Sequence, residues 1–113
     1  MNTGLTLYIE REILPRYKCF DKAHREDHAR MVISQSLGIA RHYAVNIEMV
    51  YAIAAFHDLG LAIDRKTHHL ESGRLVREDP RLHEWFSQEE IETMAQAVED
   101  HRLSEPFDNR CYQ

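Results

Sequence analysis

Residues 46–60, NIEMVYAIAAFHDLG, decide the fold of this chain. Apart from Glu48, every residue from 47 to 56 is apolar. A helix that is apolar on every side belongs in the middle of a structure, so this segment predicts a central, buried helix. Asn46 is a good N-cap, and Gly60 is a typical C-terminal stop after a helix reaching about residue 59.

The flanking sequence predicts four more helices. The first covers residues 5–14 and ends at Pro15, and residues 15–20 form a short turn or helical piece. A long helix begins after Asp21 and reaches about residue 43. A helix capped by Thr67 runs to about residue 78, and the capping box of Ser87 and Glu90 opens a last helix to about residue 102.

Helical periodicity and the lack of any alternating segment predict an all-α fold, a bundle of five or more helices in one domain. The long second helix carries Met31, Val32, Gln35 and Ile39 near one stripe, which we expect to face the core. Residues 80–86 are expected to add a short helical turn. Gly and Pro number only four and three, which disfavours a turn-rich β fold.

Composition excludes several classes of protein. With 113 residues, 43% of them hydrophobic and 29% charged, the chain has the composition of one ordinary globular domain. A net charge of −5 disfavours binding to nucleic acid or to an acidic membrane. Two cysteines, Cys19 and Cys111, and an N-terminus unlike a signal peptide predict a cytoplasmic protein.

Eight histidines are the unusual feature of the composition. His28 lies three and four residues before Met31 and Val32, on the predicted apolar stripe. His57 continues the series Ile47, Val50, Ala54 and His101 continues the series Ile91, Met94, Val98, each at helical spacing. Three separate helices are therefore predicted to point a histidine inward, and Asp58 follows one of them.

One inward histidine is more often a hydrogen-bonded core residue than a ligand. Several buried imidazoles with a carboxylate cost several kcal/mol unless they are paired, and one metal ion pairs them all. An apolar environment also favours the neutral imidazole that binds metal. The spacing His69-x-x-x-Gly73 would let another helix approach closely at the glycine, beside a further histidine.

Four motifs carry the histidines of interest: His28 in DHARMV, His57-Asp58 in AAFHDLG, His69 in HHLESG and His101 in AVEDHR. Together they resemble the HD-domain superfamily of metal-dependent phosphohydrolases. The resemblance implies a helical bundle with a central metal site that hydrolyses phosphate esters, often of nucleotides. It implies that His28, His57 and Asp58 bind a first metal, that His69 and His101 bind a second if one is present, and that Asp58 bridges the two.

The resemblance also implies that His57 and Asp58 are catalytic. Imidazole and carboxylate ligands suit Fe, Mn, Zn, Ni or Co, and Mg²⁺ stays open, as does a choice of one ion or two. The family pattern closes with a further Asp on a helix after His101, but this sequence ends twelve residues later, at Gln113. Asp108 is the acidic residue best placed to replace it. Either the last ligand and helix are lacking, or the sequence is a shortened form of a longer protein.

A small phosphorylated substrate, such as a nucleotide, needs cations near the site. Arg65, Lys66 and Arg102 are the candidates, although each is also an ordinary surface charge. Two other functions stay open: a non-catalytic module of the same fold that binds metal or nucleotide, and a helical interaction domain whose histidines are core residues. A homodimer is compatible with a short acidic domain of this kind.

Overall fold

Five α-helices joined by short helical turns make up the protein in a computed structural model, which describes residues 1–19 and 26–100. The helices are α1 (Thr3–Tyr8), α2 (Glu26–Ala40), α3 (Ile47–Phe56), α4 (His68–Glu78) and α5 (Gln88–Glu99). No β-strand occurs in the described ranges, so the predicted all-α fold is confirmed. None of the helices in those ranges combines the length and hydropathy needed to cross a bilayer.

The central position predicted for α3 is confirmed. Its buried residues are Tyr51, Ala52, Ala54, Ala55 and Phe56. Because three of these are alanines, the neighbouring elements can approach closely, and α3 packs against α2, α4, α5 and the N-terminal segment. Asn46 caps the helix as expected, since its side chain accepts hydrogen bonds from the backbone N–H groups of Glu48 and Met49.

The α-helix predicted for residues 5–14 is shorter than expected, since α1 ends at Tyr8, but the helical piece expected after Pro15 is present. A π-helical turn, Ile9–Ile13, follows α1, and a 3-10 helix, Leu14–Cys19, follows that turn. Proline lacks the N–H that an α-helix would use at this point, but it is tolerated in the first turn of a new helical segment. The helical type therefore changes at Leu14, just before Pro15, and Leu14 and Tyr17 stay in the core.

The apolar stripe predicted for α2 is correct only at Val32, which packs against the core. Met31 and Ile39 are exposed, and the helix instead buries Ala29, Ile33 and Ala40. Its described end is also earlier than expected, at Ala40, while the proposed cap Asp21 lies outside the described residues. A bidentate ion pair between Arg30 and Glu10 holds α2 to the N-terminal segment.

Helices α4 and α5 form a tightly packed pair. Ser87 and Glu90 make the predicted capping box at the start of α5. The helix buries Ile91, Met94 and Val98 as expected. It ends at Glu99, and the backbone of Asp100 is extended. The close approach predicted at Gly73 is confirmed, because a Cβ there would lie 2.4 Å from Cγ of Glu99. The 3-10 helix Pro80–Glu84 supplies the expected short turn between the two helices.

Candidate metal centre

Three helix ends meet at the candidate site. His28 is the third residue of α2, His57 is the C-cap of α3 and Asp58 comes next. His68 is the first residue of α4, and the 3-10 helix Leu59–Ala62 lies in the segment that connects α3 to α4. The site is thus built from the start of two helices and the end of a third.

Asp58 is the centre of this cluster. Only 6% of its surface is exposed, and its carboxylate lies between two imidazoles. Oδ2 is 3.1 Å from Nε2 of His57, and Oδ1 is 3.6 Å from Nε2 of His68. A buried carboxylate is costly without a hydrogen-bond donor or a positive charge beside it, so the imidazole nitrogens on its two oxygens mark a place for a proton or a metal ion.

Backbone carbonyls orient both rings in the same way. Nδ1 of His57 lies 2.7 Å from the carbonyl oxygen of Ala54, and Nδ1 of His68 lies 3.0 Å from that of Arg65. A carbonyl oxygen can only accept, so each Nδ1–H donates. In the neutral ring Nε2 then carries the lone pair, and it is Nε2 that faces Asp58. Histidines that bind metal are oriented by such bonds.

The end of α3 is fixed by side chains. If the helix continued, the carbonyls of Ala54 and Ala55 would accept from the N–H groups of Asp58 and Leu59. They accept instead from the His57 ring at 2.7 Å and from the Tyr17 hydroxyl at 2.6 Å. The helix therefore ends at Phe56, before Gly60. Burial raises the pKa of the Tyr17 phenol, and the charge of Asp58 adds to the rise, so the hydroxyl stays protonated.

Gly60 has a role different from the predicted helix stop. Its backbone has no positive φ, so glycine is not required there for conformation. A Cβ at this position would lie 2.1 Å from the carbonyl oxygen of His68 and 2.6 Å from the amide nitrogen of Ser72. Glycine is required for space, since it lets α4 begin directly against the segment that follows Asp58. The Gly60 N–H donates to the buried Ser72 hydroxyl at 2.7 Å.

The donor set of this cluster fits a divalent metal. One ligand atom from each of His28, His57 and Asp58 lies within 4.8 Å of the other two. Two ligand atoms that are each about 2.1 Å from one ion are at most about 4.2 Å apart, so small side-chain shifts close the set. Two imidazole nitrogens and a carboxylate oxygen suit a transition metal, and all three side chains are buried or half-buried.

The structure thus brings together three of the predicted site residues, His28, His57 and Asp58. His69 is half-buried beside His68, with the ring centroids 3.7 Å apart, and its role as a ligand stays a prediction. His68 was not among the predicted site residues. Two adjacent histidines at a helix start diverge by about 100°, and the sequence did not show which of them faces Asp58.

The remaining predicted residues divide into two groups. Arg65 and Lys66 lie in the exposed loop before α4, and the carbonyl of Arg65 contacts the His68 ring. His101, Arg102 and Asp108 lie outside the described residues.

Comparison with known families identifies the fold that carries this cluster. The family model of the HD domain matches residues 25–110, which is most of the chain. The chain belongs to the HD domain family. Comparisons with curated proteins and with solved structures give no match. HD domains as a family are metal-dependent phosphohydrolases that bind divalent metals, and the His-Asp cluster of this HD domain is compatible with such a site.

Proposed function

We propose that this protein hydrolyses a phosphomonoester or a phosphodiester, such as a nucleotide, in a reaction that depends on a divalent metal. The observation that carries the proposal is the buried Asp58 carboxylate between two oriented imidazoles, with His28 in reach. A divalent metal bound here would lower the pKa of water to about 7 and polarise the phosphoryl group.

The chain's own residues would hold and orient this chemistry. His28, His57 and Asp58 supply the nitrogen and oxygen ligands. The carbonyl of Ala54 keeps the Nε2 lone pair of His57 directed at the site, and burial of Asp58 limits the access of bulk water. Nε2 of His68 lies 3.6 Å from Oδ1 of Asp58, so His68 would be a fourth donor beside these three residues.

Cations near the cluster would offset the charge of a phosphate. Arg65 and Lys66 are exposed in the loop whose backbone contacts His68, so their side chains are close in sequence to the cluster and accessible to a substrate. An arginine can bind phosphate through two parallel hydrogen bonds, whereas a lysine acts as a point charge. We propose Arg65 and Lys66 as substrate-binding residues, and Arg102 as a third.

The test combines metal binding with turnover. The 113-residue protein is stripped with a chelator, titrated with Mn²⁺ or Fe²⁺ by calorimetry, and screened for phosphate release from monoesters, diesters and nucleotides. His57→Ala is expected to lose both metal binding and turnover, because it removes a ligand. His83→Ala is the matched control, since His83 is exposed on the 3-10 helix between α4 and α5.

The outcomes separate the candidate functions. Metal-dependent release that is absent in His57→Ala and retained in His83→Ala supports the proposal. Tight metal or nucleotide binding without any release refutes hydrolysis and favours a non-catalytic binding module. A protein that retains no transition metal, and whose melting temperature is unchanged by chelator, has histidines that serve only the core.

A further inference from the structure

Tyr17 lies outside the region matched by the family, yet its side chain reaches the candidate metal centre. The match begins at residue 25, whereas Tyr17 is in the 3-10 helix Leu14–Cys19. Its side chain is completely buried. The hydroxyl donates to the carbonyl of Ala55 at 2.6 Å and accepts from the N–H of Asp58 at 3.4 Å. The Tyr17 hydroxyl thus links Ala55, in the last turn of α3, to Asp58, two residues after the helix ends.

These two bonds act on the backbone from which the ligands project. The last carbonyls of a helix lack partners within the helix and need another donor. The hydroxyl of Tyr17 satisfies Ala55, while the ring of His57 satisfies Ala54. His57 and Asp58 follow directly, so the direction of both side chains depends on how this turn is held.

The N-terminal segment that carries Tyr17 is itself firmly packed. Leu5, Ile9, Ile13 and Leu14 have no exposed surface, and the segment contacts α3, α2 and the 3-10 helix after Asp58. Because core side chains pack at crystal-like density, a residue anchored in this way transmits its position to its hydrogen-bond partners. The tyrosine ring therefore has little freedom to move away from α3.

We propose that Tyr17 is a positioning residue for the metal ligands His57 and Asp58, so that the N-terminal segment forms part of the metal centre. This inference rests on the proposed function for the role of the metal. The bonds that it invokes join protein atoms only, so its test includes a measurement on the metal-free chain.

The test compares two tyrosine-to-phenylalanine variants of the full chain. Tyr17→Phe removes the bridging hydroxyl and keeps the ring. Tyr8→Phe is the matched control, because the hydroxyl of Tyr8 bonds to Asp79. Asp79 lies at the far end of α4 from His68, about 16 Å along an 11-residue helix. Both variants lose the hydroxyl of a buried tyrosine, but only Tyr17→Phe removes bonds to the turn that carries the ligands.

Mn²⁺ affinity and amide hydrogen exchange are the readouts. Tyr17→Phe is expected to weaken Mn²⁺ binding by about 10–100-fold, the usual effect of losing a group that orients a ligand, while Tyr8→Phe binds like the wild type. In metal-free protein, the Asp58 amide should exchange faster in Tyr17→Phe than in Tyr8→Phe. Unchanged affinity in Tyr17→Phe, or equal losses in both variants, would overturn the proposal.

Measurements on the wild type decide two further cases, a Tyr17→Phe variant that does not fold and a wild type that binds no Mn²⁺. If Tyr17→Phe does not fold, protection of the Asp58 amide in the metal-free wild type decides: a protected amide supports the bridge, and an unprotected one overturns it. If the wild type binds no Mn²⁺, the proposed function fails, whereas exchange in the two variants still tests how the ligand turn is held.

Discussion

Replacing Gly60 with alanine should damage this fold more than its small size suggests. The new Cβ would lie 2.1 Å from the carbonyl oxygen of His68 and 2.6 Å from the amide nitrogen of Ser72. A carbon–oxygen contact normally requires about 3.3 Å, so the first turn of α4 must retreat by about 1 Å. Both clashing atoms belong to the backbone and cannot rotate away.

The magnitude follows from two costs. Overpacking of this kind costs about 1–3 kcal/mol. Retreat of α4 also breaks the bond from the Gly60 N–H to the buried Ser72 hydroxyl, and an unsatisfied buried group costs about 1–3 kcal/mol more. The two costs sum to about 2–6 kcal/mol, and at about 4 °C per kcal/mol for a domain of this size we expect the melting temperature to fall by roughly 8–24 °C.

Gly38→Ala is the matched control for this experiment. Gly38 lies inside α2, and a Cβ there meets nothing within 4 Å. Alanine is better than glycine in a helix by about 0.8–1 kcal/mol, so this variant should melt a few degrees higher than the wild type. Thermal unfolding followed by circular dichroism measures both. If Gly60→Ala melts within about 2 °C of the wild type, the close approach of α4 at Gly60 is refuted.

Three further predictions concern the cap, an ion pair and the metal. Ser87→Ala removes the side chain that accepts from the Glu90 N–H and should cost about 1 kcal/mol in urea unfolding; an unchanged midpoint would show that the cap contributes nothing. The Arg77 guanidinium lowers the pKa of Glu92, so this pair stabilises the fold above the ordinary glutamate pKa and loses its effect as the pH falls through the lowered one. The stability difference between wild type and Glu92→Gln should therefore shrink in acid, and a constant difference would contradict the pairing. Mn²⁺ at 100 times its Kd should stabilise the chelator-treated protein by about 2.7 kcal/mol, and identical melting with and without Mn²⁺ would argue against binding to the native state.

Local signals made much of this fold predictable. Asn46 and the Ser87–Glu90 box are caps that act within three residues, and both form as expected. The all-round apolar character of α3 favours burial of most of the helix, and only Ile47, its first residue, is an exposed apolar residue of this helix. His57 and Asp58 lie side by side at the end of this helix because they are the two residues that directly follow it in the sequence.

Other features depend on contacts between distant segments. The stripe predicted on α2 is wrong at Met31 and Ile39, because the N-terminal segment and α3 together decide which face is covered, and these two residues stay exposed although their periodicity fits. The choice between His68 and His69 depends on how α4 begins against Gly60. Tyr17 reaches Ala55 across 38 residues of chain, and no local pattern in the sequence marks such a bond.

The packing of the N-terminal segment bears on where this domain can be cut. Leu5, Ile9, Ile13, Leu14 and Tyr17 are fully buried, and each contributes about 1.5–3 kcal/mol on burial. Their combined contribution is of the same order as the whole stability of a typical domain, about 5–15 kcal/mol. A recombinant fragment that starts at the family boundary, residue 25, lacks this segment. We expect such a fragment to aggregate, because the apolar surface of α3 that the segment covers would be exposed to solvent.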